Sequence, residues 1–251
     1  MLELININKT FNKGQATETK ALSGINIHIQ RQDFLVIIGA NGSGKSTLLN
    51  AVSGSTTIDS GKIILQEKEI QKLAEHERSK WIARVFQNPL AGTAPALSIL
   101  DNFRLAALRT APKMLKIGTN DQFKKQVQER IAILAMGLEN KLDQPMGTLS
   151  GGQRQALTLV MSVMADLKIL LLDEPTAALD PKSARMVMNL AQQLIEQHHL
   201  TTIFITHNLS EAARYGNRLI HLQEGEIKKE VASIEKLKLT QTELLSWFDY
   251  F

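Results

Sequence analysis

The segment with the clearest chemical potential is a glycine-rich stretch that follows a run of apolar residues. It reads Gly-Ala-Asn-Gly-Ser-Gly-Lys-Ser over Gly39–Ser46, which matches the pattern G-x-x-x-x-G-K-S/T. Glycines let the backbone fold into a cradle whose N–H groups face phosphate oxygens, and a helix opening at Thr47 directs its partial positive charge at the same place. We therefore predict a nucleotide site in this phosphate loop. Its expected members are Gly39, Asn41, Gly42, Ser43, Gly44, Lys45, Ser46 and Thr47.

The two residues after the last glycine have separate expected roles. Lys45 is predicted to reach the β- and γ-phosphates, and the Ser46 hydroxyl is predicted to bind Mg²⁺. The alternative is a structural turn followed by a surface lysine. Because that alternative does not explain why Lys and Ser follow the glycine in this order, the pattern favours binding of a nucleotide such as ATP.

A second candidate is a pair of acidic residues at the end of the apolar run Ile169–Leu172, which continues as Asp173-Glu174-Pro175. Two carboxylates at the mouth of a buried strand are costly unless something uses them. Asp173 is predicted to hold Mg²⁺, and Glu174, which points the other way because side chains alternate along a strand, to polarise the water that attacks the γ-phosphate. Such general-base assistance is worth about 10²–10⁴ in rate. The alternative is a solvated helix start.

A third candidate is the signature loop, Leu149–Gln153, which reads Leu-Ser-Gly-Gly-Gln. A serine hydroxyl and two glycines ahead of a helix, which we predict over residues 155–164, form an anion site. The residues assigned to it are Ser150, Gly151, Gly152 and Gln153.

With these three motifs in this order, the chain resembles ATP-binding cassette (ABC) ATPases from end to end. The resemblance implies an α/β fold: a P-loop NTPase core with a mainly parallel sheet, an N-terminal antiparallel β-subdomain and an inserted helical subdomain. It implies one domain over residues 1–251, with a helical signature subdomain over 88–160 and a C-terminal helical tail over 231–251. It also implies that the signature loop closes on ATP held by another copy, so that ATP drives a head-to-tail homodimer.

The resemblance assigns further residues one by one. Gln87 resembles the Q-loop glutamine that approaches Mg²⁺ and the attacking water. His207 resembles the switch histidine that contacts the γ-phosphate, and Asp180 resembles the D-loop aspartate at the shared nucleotide site. Phe11 resembles the aromatic residue that stacks on adenine, although the family more often has tyrosine there; a place in the core is the equal alternative. The remaining histidines are interpreted as structural, namely His28, His76, His198, His199 and His221.

The kind of cassette follows from what the sequence lacks and from one segment. No apolar run is long enough for a membrane span, no sustained heptads occur, and the N-terminus does not read as a signal peptide. A free-standing cytoplasmic cassette, held at the inner face of the membrane by separate permease subunits, is therefore expected. The stretch 87–103 resembles bacterial importer ATPases, some of which work with a permease and a substrate-binding lipoprotein for aromatic amino acids. An export or extraction ATPase and a soluble, non-transport ATPase are the alternatives.

The elements that must position these motifs are legible in the hydrophobic pattern. Strict alternation at Ile25, Ile27 and Ile29 predicts a strand with one buried face, whereas the continuous apolar runs 34–38, 169–172 and 202–206 predict strands buried on both faces. Helical stripes over 123–134 and 186–195 lie between them, which indicates a parallel α/β core. A hairpin is predicted over Arg218–Glu230, with its turn at Glu224-Gly225.

Composition and charge exclude several classes of protein. The chain has 251 residues, of which 43% are hydrophobic and 22% charged, and this excludes wholesale disorder. It contains no cysteine, so disulfide frameworks and thiolate metal sites are excluded. The net charge of +4 is scattered, with one modest concentration from Arg104 to Lys125, which predicts no nucleic-acid partner. The aromatic end, Thr242–Phe251, is expected to be a helix packing on the body or on a second copy; an exposed partner patch is the alternative.

Overall fold

A computed structural model describes residues 1–110 and 120–248 of the chain. Those residues form two compact units: the first holds residues 1–79, 171–173 and 201–248, and the second holds the rest. The strands are β1 (Leu2–Phe11), β2 (Thr19–Ile29), β3 (Phe34–Ile38), β4 (Ser60–Leu65), β5 (Lys68–Glu69), β6 (Ile82–Val85), β7 (Ile169–Asp173), β8 (Thr201–Ile205), β9 (Arg218–Gln223) and β10 (Glu226–Ala232). The helices are α1 (Lys45–Ser53), α2 (Glu75–Arg78), α3 (Ile99–Ala107), α4 (Asp121–Ala132), α5 (Gly151–Ser162), α6 (Pro181–Gln197), α7 (Leu209–Arg214), α8 (Ser233–Lys238) and α9 (Gln241–Leu245).

The first unit begins with an antiparallel sheet in the order β2-β1-β4-β5. The alternation predicted in β2 is confirmed, because every second residue from Ile25 to Ile29 is buried. In β1 the buried residues are Leu2, Leu4 and Ile7; the last two are three positions apart, and the pairing with β2 shifts register between them. Asn6 lies in this irregularity with a positive φ of 48°. The local bulge returns Ile7 to the buried face.

The same unit contains the parallel strands that were predicted from continuous apolar runs. The strand order is β10-β9-β3-β8, and the last residues of β7 lie beside β8. Every residue of β3 is buried, and β3 runs parallel to both β8 and β9. The hairpin β9–β10 turns at Glu224-Gly225, as predicted. The carboxyl ends of β3, β8 and β9 therefore share one edge of the sheet.

A buried arginine closes the far end of α1. The Arg78 guanidinium donates hydrogen bonds to the carbonyls of Ala51 at 2.6 Å and Val52 at 3.0 Å, in the last turn of α1. It also donates to the carbonyls of Gln71 and Leu73, each at 3.0 Å. Burial lowers the pKa of Arg78 from its usual range. A cation at a helix C-terminus satisfies carbonyls that have no intrahelical partner and offsets the negative end of the helix dipole.

The second unit is mostly helical. It contains β6, the first residues of β7 beside it, and helices α3 to α6. Side chains cap several of these helices: Ser98 caps α3, Asn120 caps α4, and Asp180 caps α6, where Pro181 occupies the first turn. This agrees with the inserted helical subdomain that the resemblance implies. The subdomain boundaries at 88–160 and 231–251 stay predictions.

Two helix starts were predicted too late in the sequence. Helix α1 begins at Lys45, whereas Thr47 was expected. Helix α5 runs over Gly151–Ser162, whereas residues 155–164 were expected. It begins four residues early because Ser150 and Gln153 form a reciprocal capping box that starts the helix at the first glycine. The signature glycines therefore lie inside the first turn of α5 and do not precede it. Similarly, Asp173 is the last residue of β7, although it was expected just after the strand.

The C-terminal segment, Gln241–Phe248, folds as α9 followed by a turn, with Leu244 fully buried. The prediction of a packed terminal helix over Thr242–Phe251 is confirmed only as far as Leu245, since residues 246–248 form a turn, while Tyr250 and Phe251 lie outside the described residues. So do Pro112 and the middle of the basic stretch between Arg104 and Lys125. Among the described residues, no helix combines the length and apolarity that crossing a membrane requires.

Candidate functional site

The phosphate loop connects β3 to α1 and depends on two glycines. A Cβ atom on Gly39 would lie 2.1 Å from the Leu222 carbonyl oxygen, and one on Gly44 would lie 2.3 Å from the Ala21 carbonyl oxygen. Gly44 also has a φ of 103°, which disfavours any other residue. The loop is thus packed against neighbouring backbone so closely that only glycine fits at these two positions.

The start of α1 leaves hydrogen-bond donors available. Gly44 occupies the N-cap and supplies no side-chain cap, and the N–H groups of Ser46 and Thr47 in the first turn have no acceptor within the helix. The Ser43 hydroxyl is buried and has no hydrogen-bond partner among residues 1–110 and 120–248. Donors that converge on one helix N-terminus suit a phosphate group, which supplies several acceptor oxygens.

Lys45 lies inside the loop and not on its surface. Its side chain is buried, and Nζ donates to the carbonyls of Gly39 at 2.8 Å and Ala40 at 2.9 Å. This excludes the alternative of a surface lysine after a structural turn. Asn41, Gly42 and Ser46, by contrast, are exposed at the mouth of the loop.

Two further predicted residues belong to the same unit as the phosphate loop. Asp173 ends β7 and is buried, and His207 follows β8, which pairs with β3. His207 is exposed and is held between Thr206 and Asn208: the Asn208 N–H donates to the Thr206 hydroxyl at 3.0 Å, and the Asn208 side chain caps α7. Among the described residues, no cluster of three or more acidic or histidine side chains forms a metal site by itself.

Phe11 ends β1 in the first unit. Its side chain is 38% exposed, so the alternative that placed it in the core is wrong. The Lys9 ammonium lies 5.3 Å from the centre of its ring, a distance typical of a cation–π contact.

In the second unit, the signature loop is organised by its own side chains. The Gln153 N–H donates to the Ser150 hydroxyl at 3.3 Å, and the Ser150 N–H donates to the Gln153 side-chain oxygen at 3.1 Å. The buried Arg154 anchors the preceding turns by donating to the carbonyls of Met146, Gly147 and Leu149. A Cβ atom on Gly152 would lie 2.7 Å from the Ser183 hydroxyl of α6, so this glycine also permits close helix packing.

Gln155 is a positioning residue that sequence reasoning missed. Its buried side-chain amide donates to the Phe86 carbonyl at 2.9 Å and to the Pro175 carbonyl at 3.0 Å. One amide therefore holds the residue before Gln87 and the residue after Glu174. The only signal in the sequence is that Gln155, a polar residue, directly precedes Ala156–Met161, a stretch in which every residue except Thr158 is apolar.

Glu174 has an uncommon backbone conformation. Its φ is 46°, in the left-handed region that non-glycine residues seldom adopt. Strain of this kind is retained where the surrounding structure imposes it, and such positions cluster at functional sites. Asp180 has a plainer structural role, because its carboxylate accepts from the N–H groups of Lys182 and Ser183 at the start of α6. Hydrogen bonds from Ser183 above all hold the pKa of Asp180 below its usual range.

The sequence of the chain is similar to those of known proteins. Residues 22–177 match the protein family described as ABC transporter. The chain belongs to the ABC transporter family. Over its whole length it is 40% identical to a tyrosine transport ATP-binding protein of Clostridioides difficile (strain R20291), and the match covers 99% of that relative. It is also 31% identical, over 90% of its length and 96% of the relative, to a lipoprotein-releasing system ATP-binding protein of Acinetobacter baylyi.

Solved cassettes have the same fold. An ATP-binding cassette in a dimeric, post-hydrolysis state with ADP and Pi superposes with a TM-score of 0.79, at 28% identity, covering 92% of this chain and 98% of the other. A nucleotide-free cassette from an ABC transporter gives a TM-score of 0.78 at 27% identity, covering 95% and 93%. The predicted ABC nucleotide-binding fold is thereby confirmed. The chain is an ATP-binding ABC ATPase of a transporter.

Proposed function

We propose that this cassette is the ATP-hydrolysing subunit of a bacterial importer for aromatic amino acids. The observation that carries the proposal is the 40% identity, over the entire chain, to a tyrosine transport ATP-binding protein. In this proposal the cassette lies on the cytoplasmic side of the membrane and binds a separate permease. A substrate-binding lipoprotein delivers the amino acid to the same system, and no nucleic acid is involved.

The phosphate loop is proposed to hold the ATP phosphates through the N–H groups at the start of α1, the Ser43 hydroxyl and the Lys45 ammonium. Phe11 would stack on adenine. Ser46 and Asp173 supply the oxygen donors that Mg²⁺ prefers, and they lie in one unit of the molecule. When bound there, Mg²⁺ would neutralise part of the phosphate charge. The further assignment of Gln87 to the metal rests on the family resemblance.

In the proposed reaction, Glu174 takes a proton from the attacking water. The water oxygen bonds to the γ-phosphorus while the bond to the bridging oxygen of ADP breaks, so that ADP and phosphate leave. Lys45 and His207 stabilise the charge on the γ-phosphoryl oxygens, and Gln87 orients the water. Preorganised donors and a positioned base are the main means by which proteins accelerate phosphoryl transfer.

Dimerisation is proposed to complete the site. Ser150, Gly151, Gly152 and Gln153 of one copy would contact ATP bound to the phosphate loop of another copy, with Asp180 at their interface. ATP can drive closure only if it binds the closed dimer more tightly than the open chains. The exposed position of Ser150 supports this role.

The permease is proposed to dock on the segment that follows Gln87. A cavity of about 390 Å³ lies in the second unit, and Arg84, Leu105 and Arg109 are among its lining residues. Leu105 is 51% exposed there. The wall is well ordered, because the buried Asn102 amide donates to the carbonyls of Ala94 at 3.0 Å and of Ser98 at 2.9 Å. A preformed surface binds a partner helix at a lower entropic cost.

An export or extraction complex is the second candidate, because the chain is also 31% identical to a lipoprotein-releasing ATP-binding protein. The two candidates differ in what should accompany the cassette. An importer requires a substrate-binding protein that retains a free amino acid. An extraction complex acts on a molecule already in the membrane and needs no such protein.

The test is affinity isolation of the tagged Glu174→Gln chain from gently solubilised membranes with Mg·ATP, which should hold the closed dimer. We expect a polytopic permease to copurify, and a lipoprotein encoded beside it to bind tyrosine, tryptophan or phenylalanine. The Lys45→Ala chain is the matched control and should retain less permease. Recovery of a permease whose gene neighbours include no binding protein would favour extraction. Recovery of no membrane protein, with ATP binding intact, would contradict both candidates.

A further inference from the structure

The C-terminal segment packs against His221, a buried histidine that the proposed reaction does not use. The rings of Trp247 and Phe248 lie 6.2 Å and 4.9 Å from the His221 ring, centre to centre. His221 itself is only 3% exposed. The Lys229 ammonium, on the neighbouring strand β10, lies 5.0 Å from the centre of the Trp247 ring. The two aromatic residues therefore pack against the hairpin β9–β10.

His221 is adjacent to the point where the phosphate loop leaves the sheet. It pairs with Ile38, the last residue of β3, and Gly39 follows directly. The carbonyl of the next residue, Leu222, packs so closely on Gly39 that a Cβ atom there would lie 2.1 Å from it. A shift of β9 near His221 would therefore move the first residue of the loop.

The turn of the same hairpin holds the loop at a second point. The Gly225 N–H donates to the Ser43 carbonyl at 3.0 Å, and the Gly225 carbonyl accepts from the Ser23 N–H at 2.8 Å. The turn requires its glycine, because φ at Gly225 is 76° and a Cβ atom would lie 2.9 Å from the Ala21 carbonyl. The hairpin thus contacts the phosphate loop at both Gly39 and Ser43.

The segment that carries the aromatic pair is itself firmly attached. Thr240 and Glu243 form a capping box at the start of α9, and Leu244 is fully buried. In the preceding helix, the buried Lys236 donates to the Ala213 carbonyl at 2.8 Å. The rings are therefore presented to His221 by an ordered support within the first unit.

We propose that Trp247 and Phe248 are positioning residues for the phosphate loop, acting through His221 and the hairpin β9–β10. The inference rests on the proposed binding of ATP phosphates at that loop. Removing the rings leaves Asp173, Glu174 and His207 in place but loosens the support behind Gly39 and Ser43. The expected result is weaker ATP binding at an unchanged chemical step.

The first test compares the double variant Trp247→Ala/Phe248→Ala with Leu245→Ala, which removes an exposed leucine from the same C-terminal segment. We expect the ATP Kd and KM of the double variant to rise about fivefold or more, the range of a typical coupling energy, with kcat unchanged. Leu245→Ala should match wild type, and Trp247→Phe/Phe248→Tyr should restore the Kd. An unchanged Kd in a folded double variant, or an equal rise in the control, would overturn the inference. A wild-type chain that binds no ATP would instead overturn the proposed function on which it rests.

The second test needs no destabilising change in the segment. The chain has two tryptophans, so Trp81→Phe leaves Trp247 as the sole indole reporter. Coupling is reciprocal: if the rings support ATP binding, ATP must alter the environment of the rings. We expect Trp247 fluorescence to change on titration with ATP, with a midpoint equal to the calorimetric Kd. A flat fluorescence signal over a range in which calorimetry records binding would refute the coupling.

Discussion

The starts of helices α1 and α5 carry the two glycine motifs, yet they are built in opposite ways. At α1 the N-cap is Gly44, which offers no side chain, and the hydroxyl of the buried Ser43 has no partner among the described residues. At α5 the N-cap is Ser150, and it is already engaged in a reciprocal capping box with Gln153. The first helix start has no side-chain cap, whereas the second has its Gln153 N–H already bonded to the Ser150 hydroxyl.

This difference in capping suggests separate roles for the phosphate loop and the signature loop. A helix start with free donors can bind phosphate in a single chain, without rearrangement of its own hydrogen bonds. A capped start must exchange an internal bond for one to a ligand, so it gains less from binding and is better suited to completing a site than to creating one. Both loops were predicted as anion sites from their glycines and the helix that follows, and the difference in capping was not foreseen, because the glycines are visible in the sequence and the cap geometry is not.

The largest expected effect would show whether both helix starts serve one reaction. Glu174→Gln leaves each loop intact and removes the proposed base, so kcat should fall by about 10²–10⁴ while ATP binding persists. Steady-state phosphate release and calorimetry measure the two properties separately. Glu129→Gln, an exposed change on α4, is the control. Full activity in Glu174→Gln would eliminate the assigned mechanism.

The next effect would test the open helix start. Lys45→Ala removes a buried cation from the phosphate loop, and ATP affinity of the single chain should fall by about 100-fold, equivalent to about 2.7 kcal/mol. Calorimetry with ATP at a concentration below that needed for dimerisation is the measurement. Lys72→Ala, an exposed lysine of the same unit, should bind as wild type does. Retention of normal affinity would show that the open start of α1 is not the phosphate site.

A smaller effect should appear at the capped helix start. Ser150→Ala breaks the capping box, which costs about 1 kcal/mol of stability, and should lower ATPase activity while leaving ATP binding to the single chain unchanged. Asn120→Ala removes the side-chain cap of α4 and provides a control with a similar stability loss. Denaturant unfolding and ATPase assays report the two quantities. If both variants lose activity equally, the loss reflects stability and the comparison of the two loops fails.

The smallest expected effect concerns the opposite end of β3 from the phosphate loop. Burial alone would raise the pKa of Asp33, but hydrogen bonds from the Gln30 N–H, Arg218 and Asn217 outweigh it and lower the pKa below 3.8. Because the folded pKa is depressed, this carboxylate contributes stability above about pH 4 and loses it as the pH falls through the folded pKa. Asp33→Asn should therefore lower the unfolding free energy at pH 7 by about 1.5 kcal/mol, with the difference from wild type shrinking near pH 3.

Urea unfolding across this pH range measures the effect, with Asp166→Asn as the exposed control. ATP affinity at pH 7 should not change, because Asp33 and the phosphate loop lie at opposite ends of one strand. A pH-independent difference, or a loss of ATP affinity, would show that this end of β3 is not separate from the site.

The sequence predicted the strands and loops whose signals are local. The apolar runs of β3, β7 and β8, the alternation in β2 and the turn at Gly225 all lie where they were expected, because burial and turn chemistry leave a direct trace in neighbouring residues. The start of α5 was misplaced, because its cap depends on a side-chain pair. The roles of Arg78 and Gln155 were not foreseen, since their acceptors are backbone carbonyls distant in sequence.

The complete burial of β3 has a consequence for how the molecule opens. Its amides are hydrogen-bonded between β8 and β9, so their exchange with solvent deuterium should require the deepest opening event and report the global unfolding equilibrium. A ligand that binds only the folded chain suppresses that opening by RT ln(1 + [L]/Kd). The slowing of amide exchange in β3 on adding nucleotide should therefore measure the affinity of the chain for that nucleotide. The measurement needs no attached fluorophore and no turnover.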